Sequence, residues 1–95
     1  MRLHINHATK MPYQGGNQVE LEAFRLQRSF RSREWMTYRQ AQTVGRQVRK
    51  GEHGCKIVKV VEVDELEDGK HHASKKARNY TVFNLEQTDL TEGAV

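Results

Sequence analysis

The sequence has one cysteine, one proline, one tryptophan and no long apolar run. The single cysteine, Cys55, cannot form a disulfide within the chain, so nothing in the composition points to an oxidising compartment. No stretch approaches the roughly 20 apolar residues of a membrane span, and the polar start of the chain does not resemble a signal peptide. These absences predict a soluble cytoplasmic protein that does not act at a membrane.

Charge, in contrast, is abundant and unevenly distributed. The 95 residues include 16 Lys/Arg and 12 Asp/Glu, for a net charge of +4. Residues 1–59 contain 12 basic and 4 acidic residues, whereas residues 60–95 contain 4 basic and 8 acidic residues. The length suits one domain, 1–95, with 1–11 and 88–95 expected to be flexible. The excess of positive charge before residue 60 favours nucleic acid as the partner.

Apolar spacing predicts two helical segments in the first half of the chain. The first covers residues 19–30, with Asn17 as its N-cap. The second begins near Trp35, has Thr37 as its N-cap, and ends at Gly45, where glycine tolerates a left-handed conformation.

Strand patterns follow in the second half. Residues 47–49 form a short strand, and residues 55–63 are β-branched with valines on both faces, which predicts a central strand. Residues 79–84 form a further strand that pairs antiparallel with 55–63, and the charged residues 64–76 between them are expected to form a long mobile connection. We therefore predict an α+β fold, in which one or two short N-terminal helices pack on one face of a small antiparallel sheet.

Cations that contact phosphates, beside flat rings on which bases stack, are typical of a surface that binds nucleic acid. Both occur together between residues 35 and 54, beside three glycines that favour tight turns. Trp35 is the one tryptophan of a small domain and is at least as well suited to the core as to stacking. The candidate contact residues are the cations Arg39, Arg46, Arg49, Lys50 and Lys56 and the rings of Tyr13, Trp35, Tyr38 and Tyr80.

Metal binding and catalysis have little support. Adjacent side chains of His71 and His72 point apart in an extended chain, and no Cys-x-x-Cys or His-x₃-His spacing occurs. A nucleophilic Cys55 would need a base such as His53, with the flexible Gly54 between them. We therefore expect no metal, no cofactor and no enzymatic activity.

Five short motifs together resemble a known family. They are P-Y-Q-G-G-N at 12–17, W-M-T-Y-R-Q-A at 35–41, Gly45, V-R-K-G-E-H-G at 48–54 and Y-T-V-F-N-L-E-Q at 80–87. In this order they resemble the N-terminal domain of ArdC-type antirestriction proteins. The resemblance implies a single-stranded DNA-binding domain of a plasmid or phage, which protects DNA from host restriction.

Full-length members of that family continue into a zinc metallopeptidase-like domain. No H-E-x-x-H motif occurs in this sequence, so the resemblance implies a stand-alone binding module without peptidase activity. An alternative function is direct inhibition of a host defence nuclease. In that case the acidic residues 64–68 would imitate phosphate toward a basic protein surface.

Overall fold

The structure is a computed structural model that describes residues 2–91. Four strands form the main sheet, in the order Ile5–Asn6 (β1), Glu34–Thr37 (β2), Lys70–Asn84 (β5) and Cys55–Glu67 (β4). Arg46–Val48 (β3) and Thr88–Leu90 (β6) form a second, two-stranded sheet. β1 and β2 are parallel, and the other neighbours are antiparallel. This confirms the predicted α+β fold with helices on a mostly antiparallel sheet. In chain order the elements are β1 (Ile5–Asn6), α1 (Asn17–Arg28), β2 (Glu34–Thr37), α2 (Tyr38–Thr43), β3 (Arg46–Val48), β4 (Cys55–Glu67), β5 (Lys70–Asn84), a 3₁₀ turn (Leu85–Gln87) and β6 (Thr88–Leu90).

The main sheet has an apolar cluster on each face. Trp35 of β2 packs in one cluster with Leu21 of α1, and its neighbour Met36 packs in the other with Ala41 of α2. Consecutive strand residues point to opposite faces. The two helices therefore lie on opposite sides of the sheet, and our prediction that both lie on one face is wrong.

The second helix starts as predicted, but after a strand. Trp35 lies in β2 rather than in a helix. Thr37 is the N-cap of α2: its Oγ1 accepts a hydrogen bond from the Gln40 backbone N–H (3.1 Å), and Gln40 Oε1 accepts one from the Thr37 N–H (3.0 Å). This reciprocal capping box satisfies two backbone donors at the helix start. Gly45 follows the helix with φ of +74°, the left-handed conformation that we predicted.

The first helix starts differently from the prediction. Gly16, rather than Asn17, is the N-cap, and no side chain caps the helix. The Asn17 side chain instead bonds to the backbone of Val58 in β4: Asn17 Nδ2 donates to the Val58 carbonyl (2.7 Å), and Asn17 Oδ1 accepts from the Val58 N–H (2.9 Å). None of the helices within residues 2–91 is both long and apolar enough to cross a membrane.

The largest difference from the sequence analysis is the long hairpin of β4 and β5. These strands pair continuously from Cys55 opposite Val82 to Glu67 opposite Lys70, so residues 64–76 are not a mobile connection. The turn is two residues, Asp68 and Gly69, both with positive φ (51° and 75°), as a type I′ hairpin turn requires. β4 is also an edge strand, so the prediction of a central strand is wrong.

The two ends of the described chain contain short strands. β1 lies within residues 1–11 and β6 lies within residues 88–95, the two segments that we expected to be flexible. Residues 92–95 of the second segment lie outside the described residues. The flexibility of these segments stays a prediction.

Candidate nucleic-acid interface

A surface groove of about 970 Å³ lies between the start of α2, the second sheet and β5. Its walls come from Tyr38, from β3 and the turn that follows it, from Phe83 of β5, and from β6. We call it the Tyr38 groove; the lining residues used below are Tyr38, Gln47, Arg49, Lys50, Phe83 and Leu90. The groove therefore lies on the α2 side of the main sheet.

Tyr38 presents an accessible ring to this groove. It is the first residue of α2 and is 46% exposed, and its hydroxyl accepts a hydrogen bond from Gln47 Nε2 (3.1 Å). Phe83 is half-buried and packs on the Met36 cluster, yet it still lines the groove. Two aromatic side chains thus line one groove, and one of them has a fixed hydroxyl and an open ring, as base stacking requires.

Arg49 lines the groove but is held by its own chain. Its Nη1 lies 3.0 Å from Asp89 Oδ1, and its Nε lies 3.8 Å from Glu52 Oε2. Its Nη2 also donates to the carbonyl of Glu86, and its backbone N–H donates to the carbonyl of Gln87 (3.0 Å). Arg49 therefore fastens the turn after β3 to the segment after β5, and the two carboxylates offset its charge.

Other predicted cations are less constrained. Lys50, Arg39 and Lys56 are exposed, and within residues 2–91 none of them forms a salt bridge. Lys50 lines the groove, and Arg39 follows Tyr38 in α2. Lys56 lies directly opposite Thr81, which is on the same face of β5 as Phe83 because strand residues alternate. These three cations lie on the α2 side and are available to a polyanion.

Two predicted residues do not belong to the groove. Arg46 is half-buried and its Nε donates a hydrogen bond to Thr88 Oγ1 (2.7 Å). Tyr80 is opposite Ile57 and packs on the Trp35 cluster, with Lys59 Nζ 5.7 Å from its ring centroid. Tyr80 therefore lies on the other face of the sheet from Tyr38, so these two candidate rings do not share one surface.

Trp35 and Tyr13 are core residues. Trp35 is fully buried and Tyr13 is 6% exposed. The Tyr13 hydroxyl donates to the Trp35 carbonyl (3.3 Å), and burial raises the pKa of the phenol well above its ordinary value. Neither ring has a face open to a base, so both are removed from the candidate stacking residues.

Three polar residues of the motifs, which are chemically able to hydrogen-bond to base edges, form hydrogen bonds within the protein instead. Besides capping α2, Gln40 accepts a hydrogen bond from Asn6 Nδ2 (2.9 Å). Asn84 Oδ1 caps the 3₁₀ turn by accepting from the Glu86 N–H (2.9 Å). Gln87 is fully buried: its Oε1 accepts from the Asn84 N–H (2.8 Å), and its Nε2 donates to the His53 carbonyl (2.8 Å). The structure thus assigns all three a structural role.

The residues considered for chemistry are dispersed. Cys55 is buried, and burial raises the pKa of its thiol, which disfavours the reactive thiolate. His71 lies on the hairpin, with Nδ1 2.9 Å from Asp64 Oδ2. In the described part of the chain, no group of three or more His, Cys, Asp or Glu side chains is placed to hold a metal ion.

Sequence reasoning missed part of the groove. Phe83, Gln47 and Leu90 line the groove but are not among the contact residues predicted from the sequence. The alternation in Tyr80-Thr81-Val82-Phe83 was the available signal, because it places Phe83 on the opposite face from Tyr80. The position of Leu90 depends on the pairing of β6 with β3, for which the sequence carries no clear pattern.

Comparison with known proteins reveals one family. The profile of the N-terminal domain of anti-restriction factor ArdC matches residues 1–86. The uncharacterized protein y4eC of Sinorhizobium fredii is 35% identical over 94 residues, covering 90% of this chain and 31% of that protein.

Two solved structures of one relative are similar in fold. The metal-free crystal structure of the antirestriction protein ArdC from plasmid R388 superposes with a TM-score of 0.85 at 34% identity, covering 98% of this chain and 35% of that one. The Mn(II)-bound structure of the same protein gives a TM-score of 0.76 at 36% identity, over 94% of this chain and 35% of that one. The chain thus spans about a third of the length of the relatives that it matches.

Proposed function

Because the chain belongs to the family of N-terminal domains of the anti-restriction factor ArdC, we propose that it binds single-stranded DNA through the Tyr38 groove. In this proposal it serves a plasmid or phage in the host cytoplasm and protects entering DNA from restriction. The family membership supports the antirestriction role, and the groove supports the mode of binding.

The observation that carries the proposal is the open ring of Tyr38 beside uncompensated cations. Tyr38 is 46% exposed and lines the same groove as Lys50 and Phe83. A base stacked on Tyr38 contributes about 1–3 kcal/mol, whatever its identity. The phosphates on either side of that base would be within reach of Lys50 and of Arg39, the neighbour of Tyr38 in the chain.

This arrangement favours binding with little sequence preference. Gln40, Asn84 and Gln87 already form hydrogen bonds to the protein itself. Rings and ammonium groups recognise features that all nucleotides share, since every base has a π-face and every linkage has a phosphate. A protein that shields DNA of arbitrary sequence needs this property.

The proposal is tested by titrating fluorescently labelled oligo-dT with the protein at several salt concentrations. If Z phosphates are neutralised, the logarithm of the affinity falls with log[salt] with a slope of about −0.7Z. Tyr38→Ala should weaken binding about tenfold, and Tyr38→Phe, which keeps the ring, should weaken it less. Lys50→Ala should weaken binding to all sequences equally and make the slope shallower by about 0.7.

Lys70→Ala is the matched charge control, because Lys70 lies at the turn of the hairpin, opposite Glu67. It should bind oligo-dT as the unchanged protein does. Absence of binding at low salt would contradict the proposal. Equal losses of oligo-dT affinity in Lys50→Ala and Lys70→Ala would also contradict it, since the groove would then contribute no more than any other basic position.

A further inference from the structure

The outer edge of β4 is a second surface with unused binding capacity. The amide of Asn17 occupies both backbone groups of Val58 on the side away from β5. Outward-facing groups recur at every second residue of an antiparallel strand. The N–H and C=O groups of Val60, Glu62, Asp64 and Leu66 therefore face outward too, and within residues 2–91 no hydrogen-bond partner is found for them.

Apolar side chains accompany this free edge. Val60 and Leu66 are each 68% exposed. Near the start of the edge, Val58 and Val60 line a cavity of about 500 Å³ together with Met11, which is 64% exposed. Long exposed edges with apolar side chains readily accept another strand, and proteins ordinarily cover or shorten them.

The charge along the edge indicates which kind of partner would bind there. From residue 60 to residue 67, β4 contains four acidic residues and no basic residue. Asp64, Glu65 and Glu67 each lie within salt-bridge distance of a side chain of β5, whereas Glu62 is exposed and forms no salt bridge with any described residue. Its existing neighbour β5 is basic: Lys75 lies opposite Glu62, and Lys70 lies opposite Glu67. One side of β4 thus already holds a basic strand, while the other side is open.

We infer that the free edge of β4 binds an extended basic segment of a partner protein, which adds to the sheet as a further strand. Backbone hydrogen bonds to the outward groups would provide affinity, and the acidic side chains of β4, above all Glu62, which has no salt-bridge partner among the described residues, would favour lysine and arginine side chains. Val58, Val60 and Met11 would receive an apolar side chain of that segment. This surface is separate from the Tyr38 groove, so the inference does not depend on DNA binding.

A second copy of this chain is a less suitable occupant. Two-fold pairing of β4 edges would place acidic residues against acidic residues, and two-fold pairing of the free edge of β5 would place basic residues together. Pairing β4 of one copy with β5 of the next would leave a free edge each time and form an open chain of molecules.

A peptide with the sequence of residues 70–78, K-H-H-A-S-K-K-A-R, is a suitable probe because it imitates the basic strand that β4 already binds. Labelled peptide should bind the whole protein in a polarisation titration at low salt and bind less well as salt increases. A peptide with glutamate at its four basic positions should bind at least tenfold more weakly.

Val60→Pro is the variant that tests the edge. Proline removes the outward N–H and is tolerated where that group faces solvent, so peptide binding should weaken at least tenfold while circular dichroism and oligo-dT binding are retained. Val60→Thr keeps the N–H and should change the affinity less than twofold. Should Val60→Pro fail to fold, Glu62→Gln decides, with an expected loss of about threefold.

Three outcomes would overturn the inference. They are no peptide binding at low salt, equal binding of the basic and acidic peptides, and peptide binding that both Val60→Pro and Glu62→Gln leave unchanged. Concentration-dependent self-association in sedimentation, abolished by Val60→Pro without any peptide binding, would assign the edge to a second copy instead.

Discussion

The indole Nε1 of Trp35 donates a 2.8 Å hydrogen bond to Nδ1 of His4, and both rings are fully buried. The other ring nitrogen of His4, Nε2, lies 2.9 Å from Glu22 Oε1. Because Nδ1 accepts, His4 is neutral and carries its proton on Nε2. Burial lowers the pKa of His4 below its ordinary value of 6.5, more than the nearby Glu22 raises it.

This relationship predicts a pH-dependent stability. The unfolded chain takes up a proton at His4 near pH 6.5, whereas the folded chain does so only at lower pH, so the unfolded state is favoured as pH falls below 6.5. The urea midpoint should therefore increase with pH up to about 6.5 and gain nothing further from His4 above about pH 7.5. The urea midpoint of the His4→Gln variant should increase less steeply with pH than that of the unchanged protein. Equal slopes of the two proteins between pH 5 and 6.5 would contradict this role of His4.

A second prediction concerns the close approach of β4 to β5 at Gly54. A Cβ at this position would lie 2.6 Å from Thr81 Cγ2 and 2.6 Å from the Val82 carbonyl oxygen. The carbonyl belongs to the sheet backbone and cannot move independently, so Gly54→Ala should destabilise the fold by about 1–3 kcal/mol in urea unfolding. Gly16→Ala is the control, because no atom lies within 4 Å of its Cβ position; as the N-cap of α1 it should lose less than about 1 kcal/mol, and less than Gly54→Ala.

Gln87 allows a nearly isosteric test of a buried hydrogen-bond network. Besides the His53 carbonyl, its Nε2 donates to Glu52 Oε1 (3.0 Å). Gln87→Glu removes both donors and places a second carboxylate beside Glu52, so unfolding free energy should decrease by at least about 2 kcal/mol at pH 7. The same change at the exposed Gln42 should have little effect, and similar losses in the two variants would show that the network contributes nothing particular.

Arg49 and Lys50 are neighbours in the groove but should respond differently to alanine substitution. Arg49 contacts Asp89 and the Glu86 carbonyl, so Arg49→Ala should reduce stability by about 1 kcal/mol and weaken oligo-dT binding as a consequence of local disorder. Lys50→Ala should leave the unfolding midpoint unchanged and weaken binding alone. Thermal unfolding together with the salt titration separates the two effects, and a destabilised Lys50→Ala protein would argue against a purely contact role.

The sequence predicted the elements whose signals are local. The Thr37 cap and the left-handed Gly45 depend on a few adjacent residues, and both are confirmed. The long hairpin also had a local signal, the Asp68-Gly69 pair, which is typical of type I′ turns. The high charge of residues 64–76 outweighed this signal. A two-stranded ribbon that is exposed on both faces does not require alternating apolar residues, so the usual strand pattern is missing there.

The site was less predictable because it depends on which strand face each residue occupies. Composition grouped Tyr38, Tyr80 and Trp35 as rings near cations, but alternation in β2 and β5 places Trp35 and Tyr80 on one face of the sheet, and Tyr38 lies on the other. The indole N–H of the buried Trp35 donates to His4, which lies 31 residues earlier in the chain. This hydrogen bond requires the parallel pairing of β1 with β2, which no local pattern in the sequence indicates.

The two-residue turn at Asp68 and Gly69 also has a consequence for the order of assembly. It joins β4 to β5 with almost no loop to close, and hairpins of this kind form in about 1–10 μs. The pairing of β2 with β5 must instead bring Trp35 to Asn84, which is about half the chain away in sequence. We therefore expect the hairpin to be present in the folding transition state, so that changes at Gly69 slow folding, whereas changes at Trp35 mainly accelerate unfolding.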